Sequence, residues 1–195
     1  MVFDKNYSNK TDEELVILSL ENQNIFAYLI NRYQKKIARY IKRISGLSDD
    51  DIEDVLQDVF IKTYRNLNAF DSNLKFSSWL YRIAHNQVIS NFRKSKSRPQ
   101  SIILDSDNDF LENIASEFNL EKEIDIIENQ EIIMEIIGSL DYKYKEVIEL
   151  RFLEEKEYSE ISDILKKPNG TVAALISRAK KQIRKELERK NINLQ

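Results

Sequence analysis

Apolar residues recur at three- and four-residue spacing through most of the chain, the period of helices that bury one stripe and leave the rest in water. From Ile25 to Ile44 the stripe is Phe26, Leu29, Ile30, Tyr33, Ile37, Ile41 and Ile44. From Ile52 to Leu67 it is Ile52, Val55, Leu56, Val59, Phe60 and Thr63. The run Asn68 to Asn73 breaks the period, because Asn, Asp and Ser side chains bond the local backbone in competition with helix. Phe70, inside that run, is expected to pack rather than hang loose. The helical period resumes at Phe76, with Leu80, Ile83, Ala84 and Val88 as its core stripe.

Cap chemistry sharpens the boundaries. Thr11-Asp12-Glu13-Glu14 matches a capping box and predicts a short helix to about Ser19. Gly46 suits the end of the helix that begins at Ile25, and Ser48 suits the start of the next. Beyond Phe92 the stretch Arg93 to Gln100 loses the period and contains Pro99, which predicts a boundary. Residues 1–98 then form a first domain, and 99–124 an acidic linker whose Asp105-Ser106-Asp107-Asn108-Asp109 is too polar and like-charged to fold alone. Residues 125–195 form a second domain.

Helical character returns around Leu120 and runs into the second domain to Ile137, is interrupted at Gly138-Ser139, and returns from Asp141 to Leu153. A short helix from Tyr158 to Leu165, a tight connection from Lys166 to Gly170 and a helix from about Thr171 to Lys190 complete it. The last pair has the layout of a helix-turn-helix, with Ile161, Ile164, Leu165, Val172, Leu175 and Ile176 as the lock between its helices. Thr171, Arg178 and Lys181 remain available to enter a major groove.

Composition agrees with an all-α chain. Three Gly and two Pro supply few turns, and the one Asn-Gly pair, Asn169-Gly170, lies between two helical patterns rather than two strands. The absence of Cys excludes a disulfide framework and a thiolate metal site, in keeping with a reducing cytosol. No apolar run approaches the roughly 20 residues of a membrane span, and MVFDKNYSNK has no signal-peptide core. A soluble, cytoplasmic protein without direct membrane insertion is expected.

The net charge of −3 hides a partition along the chain. Residues 31–43 carry six bases and no acid, and residues 48–58 carry six acids and no base. Residues 105–137 carry eleven acids against Lys122, and residues 166–195 carry nine bases against Glu186 and Glu188. Surfaces of opposite sign imply different partners. On the helix after Phe76, the residues Trp79, Arg82, Asn86 and Arg93 share a side apart from the core stripe. Indole beside guanidinium and amide is the chemistry that stacks an unpaired base, holds its edge and neutralises phosphates. Large aromatics are also ordinary core residues, and composition leaves that alternative open for Phe76 and Trp79. The basic end of the last helix has its own plain alternative as a solvated face that complements the helix dipole. His85, alone on a helix, is expected to be structurally satisfied rather than a metal or catalytic group. No phosphate loop, Ser-His-Asp set or carboxylate dyad stands out, so no enzyme, cofactor, metal or small-molecule substrate is expected.

Two blocks carry a family resemblance. Asp54-Val55-Leu56-Gln57-Asp58-Val59-Phe60 with Phe76-Ser77-Ser78-Trp79-Leu80-Tyr81-Arg82-Ile83-Ala84-His85-Asn86 resembles region 2 of bacterial sigma factors of the extracytoplasmic-function type. Tyr144 to Arg151, Tyr158-Ser159-Glu160-Ile161 and Gly170-Thr171-Val172 with Arg178-Ala179-Lys180 resemble region 4. The resemblance implies a non-enzymatic initiation subunit whose partners are core RNA polymerase, promoter DNA and an anti-sigma factor. It implies that Asp51, Asp54, Gln57, Asp58 and Ile61 dock on the polymerase. It assigns the minus-ten element to Phe70, Asp71, Ser72, Asn73, Lys75, Phe76, Trp79, Arg82 and Asn86. The minus-thirty-five element falls to Arg151, Thr171, Ser177, Arg178 and Lys181. The chain departs from the pattern at Ala173-Ala174-Leu175, which offer no hydrogen bonds to bases, so readout there is expected to lean on phosphates and DNA shape. Leu140-Asp141 and Glu157 are further departures, at helix starts. The alternative from another class is a free-standing helix-turn-helix regulator with a sensing or partner-binding N-terminal domain.

Overall fold

The structure, a computed structural model, describes residues 5–72, 74–95 and 130–190. The expected linker 99–124 and the candidate residue Asn73 lie outside the described residues. Those described are helical, with no strand among them, and the chain divides into two compact units.

The N-terminal unit begins with α1 (Lys5–Ser8) and α2 (Asp12–Glu21). The capping box of α2 forms: Glu14 N donates to Thr11 Oγ1 at 3.2 Å, and Thr11 N donates to the Glu14 carboxylate at 2.8 Å. A 3₁₀ turn (Gln23–Ile25) leads into α3 (Phe26–Ser45). Gly46 ends that helix in the left-handed region (φ 64), where a Cβ is costly. Ser48 then caps α4 (Asp49–Arg65), and a 3₁₀ turn (Leu67–Ala69) and a loop precede α5 (Phe76–Ser95).

Helices α3, α4 and α5 pack on one another and α2 closes against α3. Leu29, Ile37, Tyr40, Ile41, Ile44, Val59, Phe76, Leu80, Ala84 and Val88 are wholly buried between them. Asp12 fixes α2 to α3 by accepting from both Arg32 and the Tyr33 hydroxyl. Ile30, Leu56 and Ile83, expected in the core, are half-buried, because a helix packed on neighbours along one side leaves the edges of its apolar stripe partly in solvent. Arg43, expected on an exposed basic face, is buried at 4% exposure: its position falls near the Tyr40–Ile44 stripe. His85 is buried within hydrogen-bond reach of the Tyr40 hydroxyl (3.4 Å to Nδ1), as a satisfied histidine should be.

The C-terminal half of the chain holds α6 (Gln130–Ser139), α7 (Tyr142–Ile148), α8 (Tyr158–Leu165) and α9 (Asn169–Arg189). Helix α6 continues through Gly138 to Ser139 rather than stopping before them. Helix α7 passes into a π-helical segment, Glu149–Leu153, that spacing alone does not reveal. Helix α9 packs on α6 and α7. Helix α8 ends at Lys166 in the left-handed region, and α9 starts after Pro168, two residues earlier than Thr171. Ile161, Ile164, Leu165, Val172, Leu175 and Ile176, the apolar residues expected to join the last two helices, are all buried.

Candidate functional site

Three surfaces carry the candidate residues. The first is the outward side of α4. Three aspartates in its first turn, Asp49, Asp50 and Asp51, favour the helix by facing its positive end. Asp51 is drawn into the cap, its Oδ2 accepting from Ser48 Oγ at 2.6 Å. Asp51, Asp54, Gln57, Asp58 and Ile61 are all exposed, Ile61 at 47%. Tyr64, one turn on, is 41% exposed and rests on Phe26, ring centroids 5.3 Å apart. An acidic strip ending in exposed apolar side chains suits a basic, amphipathic partner helix.

The second surface lies along α5. Phe70, from the preceding loop, meets Phe76 at 5.8 Å and Trp79 at 5.3 Å between ring centroids, and Phe76 meets Trp79 at 6.0 Å. Three mutually tilted rings at these separations contribute roughly 0.5–1.5 kcal/mol per pair beyond area burial. Phe76 is fully buried and Trp79 is 8% exposed. Phe76 is therefore corrected from a contact residue to a support: it has no face left for a base, and its burial fixes the positions of Phe70 and Trp79. The amide of Phe76, the first of α5, donates to the Glu13 carboxylate of α2 at 3.0 Å. Asp71, Ser72 and Lys75 are exposed in the loop beside this cluster.

Next to the cluster a groove of about 690 Å³ runs between the end of α4 and α5, lined by Lys62, Asn66, Ala69, Trp79, Arg82, Ile83, Asn86, Gln87, Ile89, Ser90 and Arg93. The structure thus brings Trp79, Arg82, Asn86 and Arg93 together as the helical spacing predicts. The lining has three cations and no acid, a surface for a polyanion with one indole edge for a base. Phe70, Asp71, Ser72 and Lys75 do not line it. Lys62, Asn66, Gln87 and Ser90 do, and the sequence reading passed over them. Lys62 and Asn66, the residue that caps the end of α4, are one helical turn apart, and their pairing with Asn86 and Ser90 depends on how α4 and α5 face each other.

The third surface belongs to α9. A groove of about 380 Å³ is lined by Tyr158, Ala173, Ile176, Ser177, Lys180, Lys181 and Arg184. Ser177 and Lys181 fall here as expected, while Thr171 and Arg178 are exposed on the same helix outside the groove. Lys180 and Arg184 are additions, legible in retrospect as the i+3 and i+7 neighbours of Ser177 on one face of α9, and Tyr158 joins them from the start of α8. Arg151 differs from the others. Its guanidinium donates to Lys156 O at 3.2 Å, lies 3.8 Å from the Glu157 carboxylate and stands over the Tyr158 ring at 5.7 Å. Those contacts set it against the start of α8.

Beneath α8 and α9, the buried Glu146 accepts from Lys167 at 3.0 Å and so ties α7 to the connection between them. Burial pushes its carboxyl above the ordinary value, and Lys167 partly opposes this. No helix among the described residues is long and apolar enough to cross a membrane.

Comparison with known proteins matches residues 29–98 to sigma-70 region 2 and residues 130–183 to sigma-70 region 4. The chain is 34% identical over 173 residues to the ECF RNA polymerase sigma factor SigW of Bacillus subtilis, covering 85% of this chain and 90% of that protein. It is 36% identical over 181 residues to the ECF RNA polymerase sigma-E factor of Escherichia coli, covering 89% and 92%. The sigma-E factor of Haemophilus influenzae is 34% identical over 189 residues, covering 91% and 96%. Among solved structures, the fold is similar to CnrH in complex with the cytosolic domain of CnrY, with TM-score 0.65, 22% identity and coverage of 92% and 98%. It is also similar to the sigma factor RpoE in complex with the anti-sigma factor NepR from Bartonella quintana, with TM-score 0.61, 17% identity and coverage of 84% and 96%.

Proposed function

The chain belongs to the extracytoplasmic-function sigma factors of the sigma-70 family, and from that membership we propose how its three surfaces divide the work of initiation. It is an alternative sigma factor, a non-enzymatic subunit that binds core RNA polymerase and directs it to promoters. The region-2 unit, residues 1–98, docks on the polymerase and captures the minus-ten element. The unit from 125 to 195 reads the minus-thirty-five element through α8 and α9 as a helix-turn-helix. Residues 99–124 join them as an acidic linker.

Docking falls to Asp51, Asp54, Gln57, Asp58 and Ile61, whose acidic face with an apolar end fits basic helices on the polymerase. Strand capture falls to Trp79, Arg82 and Asn86, with Phe70, Asp71, Ser72, Asn73 and Lys75 forming the loop that receives a flipped base. Taking a base out of the duplex costs a few kcal/mol, and stacking returns about 1–3 kcal/mol per base. The ring cluster places its rigid side under the loop, so the loop needs little ordering when the base arrives. Duplex binding falls to Thr171, Ser177, Arg178 and Lys181, with Ala173 and Ala174 leaving specificity to backbone contacts and DNA shape. An anti-sigma factor is the expected inhibitory partner, as the similarly folded sigma factor RpoE from Bartonella quintana was solved in complex with the anti-sigma factor NepR.

The observation that carries this reading is the acid-free groove beside the Phe70–Phe76–Trp79 cluster, in the same unit as the acidic face of α4. The test is reconstitution of the full chain with core polymerase on a promoter library. Selective run-off transcription supports it. Failure to bind the polymerase, or binding unaffected by charge reversal at Asp54 and Asp58, overturns it.

A further inference from the structure

Gln87 joins two surfaces that the proposed function keeps separate. It lies on α5 beside Asn86, is 4% exposed, and uses both ends of its amide. Its Nε2 donates to Asp58 Oδ2 at 2.7 Å, and its Oε1 accepts from Lys62 Nζ. Donor toward anion and acceptor toward cation is the one amide orientation that satisfies both neighbours. Asp58 and Lys62 stand one turn apart on α4 with the acid first, the spacing at which a helix forms a direct ion pair. Here the Gln87 amide bridges them instead. Asp58 belongs to the acidic docking face, and Lys62 lines the cationic groove.

We propose that Gln87 is a positioning residue that transmits the state of Asp58 to Lys62, so that neutralising Asp58 on the docking face turns Lys62 into a strand-binding cation. This rests on the reading of the α4 face as the docking surface and of the groove as the strand site. In the free chain the Lys62 ammonium is held on the Gln87 carbonyl, and the Asp58 carboxylate polarises the other end of the same amide. Part of the charge of Lys62 is thereby spent within the protein. A basic group from a docking partner that takes the Asp58 carboxylate ends that polarisation, and the amide holds Lys62 less firmly. Lys62 then turns toward phosphate. Linkage requires the reverse as well: strand binding at Lys62 strengthens docking at Asp58 by the same factor. Both charged side chains are themselves exposed, so an apolar replacement of Gln87 strands no buried charge and leaves the helices packed.

The test uses the full chain and a fluorescent single-stranded DNA of random sequence, read by anisotropy. Asp58→Asn stands in for a neutralised docking face, and Asp54→Asn controls for the general loss of an acid. In the otherwise native chain Asp58→Asn should raise strand affinity about threefold, the scale of a partly exposed charge pair, and Asp54→Asn should do less. In a Gln87→Leu background the two substitutions should have equal effects. In a Gln87→Glu background, where the new carboxylate pairs with Lys62 whatever Asp58 does, the response to Asp58→Asn should fall to that of Asp54→Asn and strand affinity should fall. Lys62→Ala should lower the salt slope by about 0.7, one phosphate contact on a single strand. An undiminished Asp58→Asn response in the Gln87→Leu chain overturns the coupling. So does an unchanged salt slope in Lys62→Ala when Arg82→Ala lowers it, an outcome that leaves the groove intact as a strand site. If neither Lys62→Ala nor Arg82→Ala lowers the slope, the strand-site reading fails and the coupling with it. Circular dichroism melts of each variant identify any result that reflects unfolding, and the Gln87→Glu chain then supplies the deciding comparison.

Discussion

The carboxylate of Glu13 accepts the backbone amide of Phe76 at 3.0 Å, across sixty-three positions of sequence. Phe76 opens α5, where a helix has amides with no acceptor of their own. Glu13 is therefore a cap supplied by a different helix, and its negative charge also meets the positive end of α5. Helix α2, held to α3 by Asp12, in this way sets where α5 begins and where Trp79, Arg82 and Asn86 fall along the groove.

Glu13→Ala should lower the stability of the full chain by about 1 kcal/mol, the usual cost of a lost cap. It should also reduce promoter opening while polymerase affinity holds. Chemical denaturation and an opening assay on the same preparation check both. A variant as stable as the native chain would show that another group satisfies the Phe76 amide.

Phe76 and Asn86 should separate structure from recognition. Phe76→Ala empties a fully buried site and should cost about 3–5 kcal/mol, visible as an early unfolding transition. Asn86→Ala changes an exposed side chain and should leave the melt unaltered, while promoter opening falls and polymerase binding persists. Loss of opening and polymerase binding together in Asn86→Ala would mark the patch as structural.

On α9, Lys181→Ala and Arg178→Ala should each lower the salt slope of duplex DNA binding by about 1, with little change in preference between sequences. Arg151→Ala should behave differently. Its guanidinium is engaged with Lys156, Glu157 and the Tyr158 ring, so its removal should loosen the start of α8 and lower thermal stability more than it alters the slope.

Glu146 sets a pH dependence. Burial raises its carboxyl above 4.5, with Lys167 opposing, so the folded chain keeps this proton to higher pH than the unfolded chain does. Within the window between those two values the folded state binds more protons, and stability falls as pH rises through it. Glu146→Gln keeps an acceptor for Lys167 and removes the titration. The stability of this variant relative to the native chain should rise from about pH 4 through that window and then level off, which thermal melts at matched ionic strength can follow. A difference independent of pH would exclude Glu146 as the source.

The sequence by itself determined the all-α class, the caps at Thr11, Gly46 and Ser48, the exposed face of Asp54, Gln57 and Asp58, and the grouping of Trp79, Arg82 and Asn86. Each is a local property: a 3.6-residue period or a cap motif is written within one or two turns of chain. Its two motif blocks carried the family as well. Only the tertiary structure decided which aromatic of the cluster is support and which is rim, since Phe76 and Trp79 share composition and neighbourhood and differ in what Phe70 and α2 lay against them. It also decided that Arg43 is buried and that Arg151 braces α8. Glu13 on Phe76, and Gln87 between Asp58 and Lys62, each depend on two helices distant in sequence meeting at hydrogen-bond range. No period along one helix encodes the register of another, because that register comes from how whole buried faces interlock.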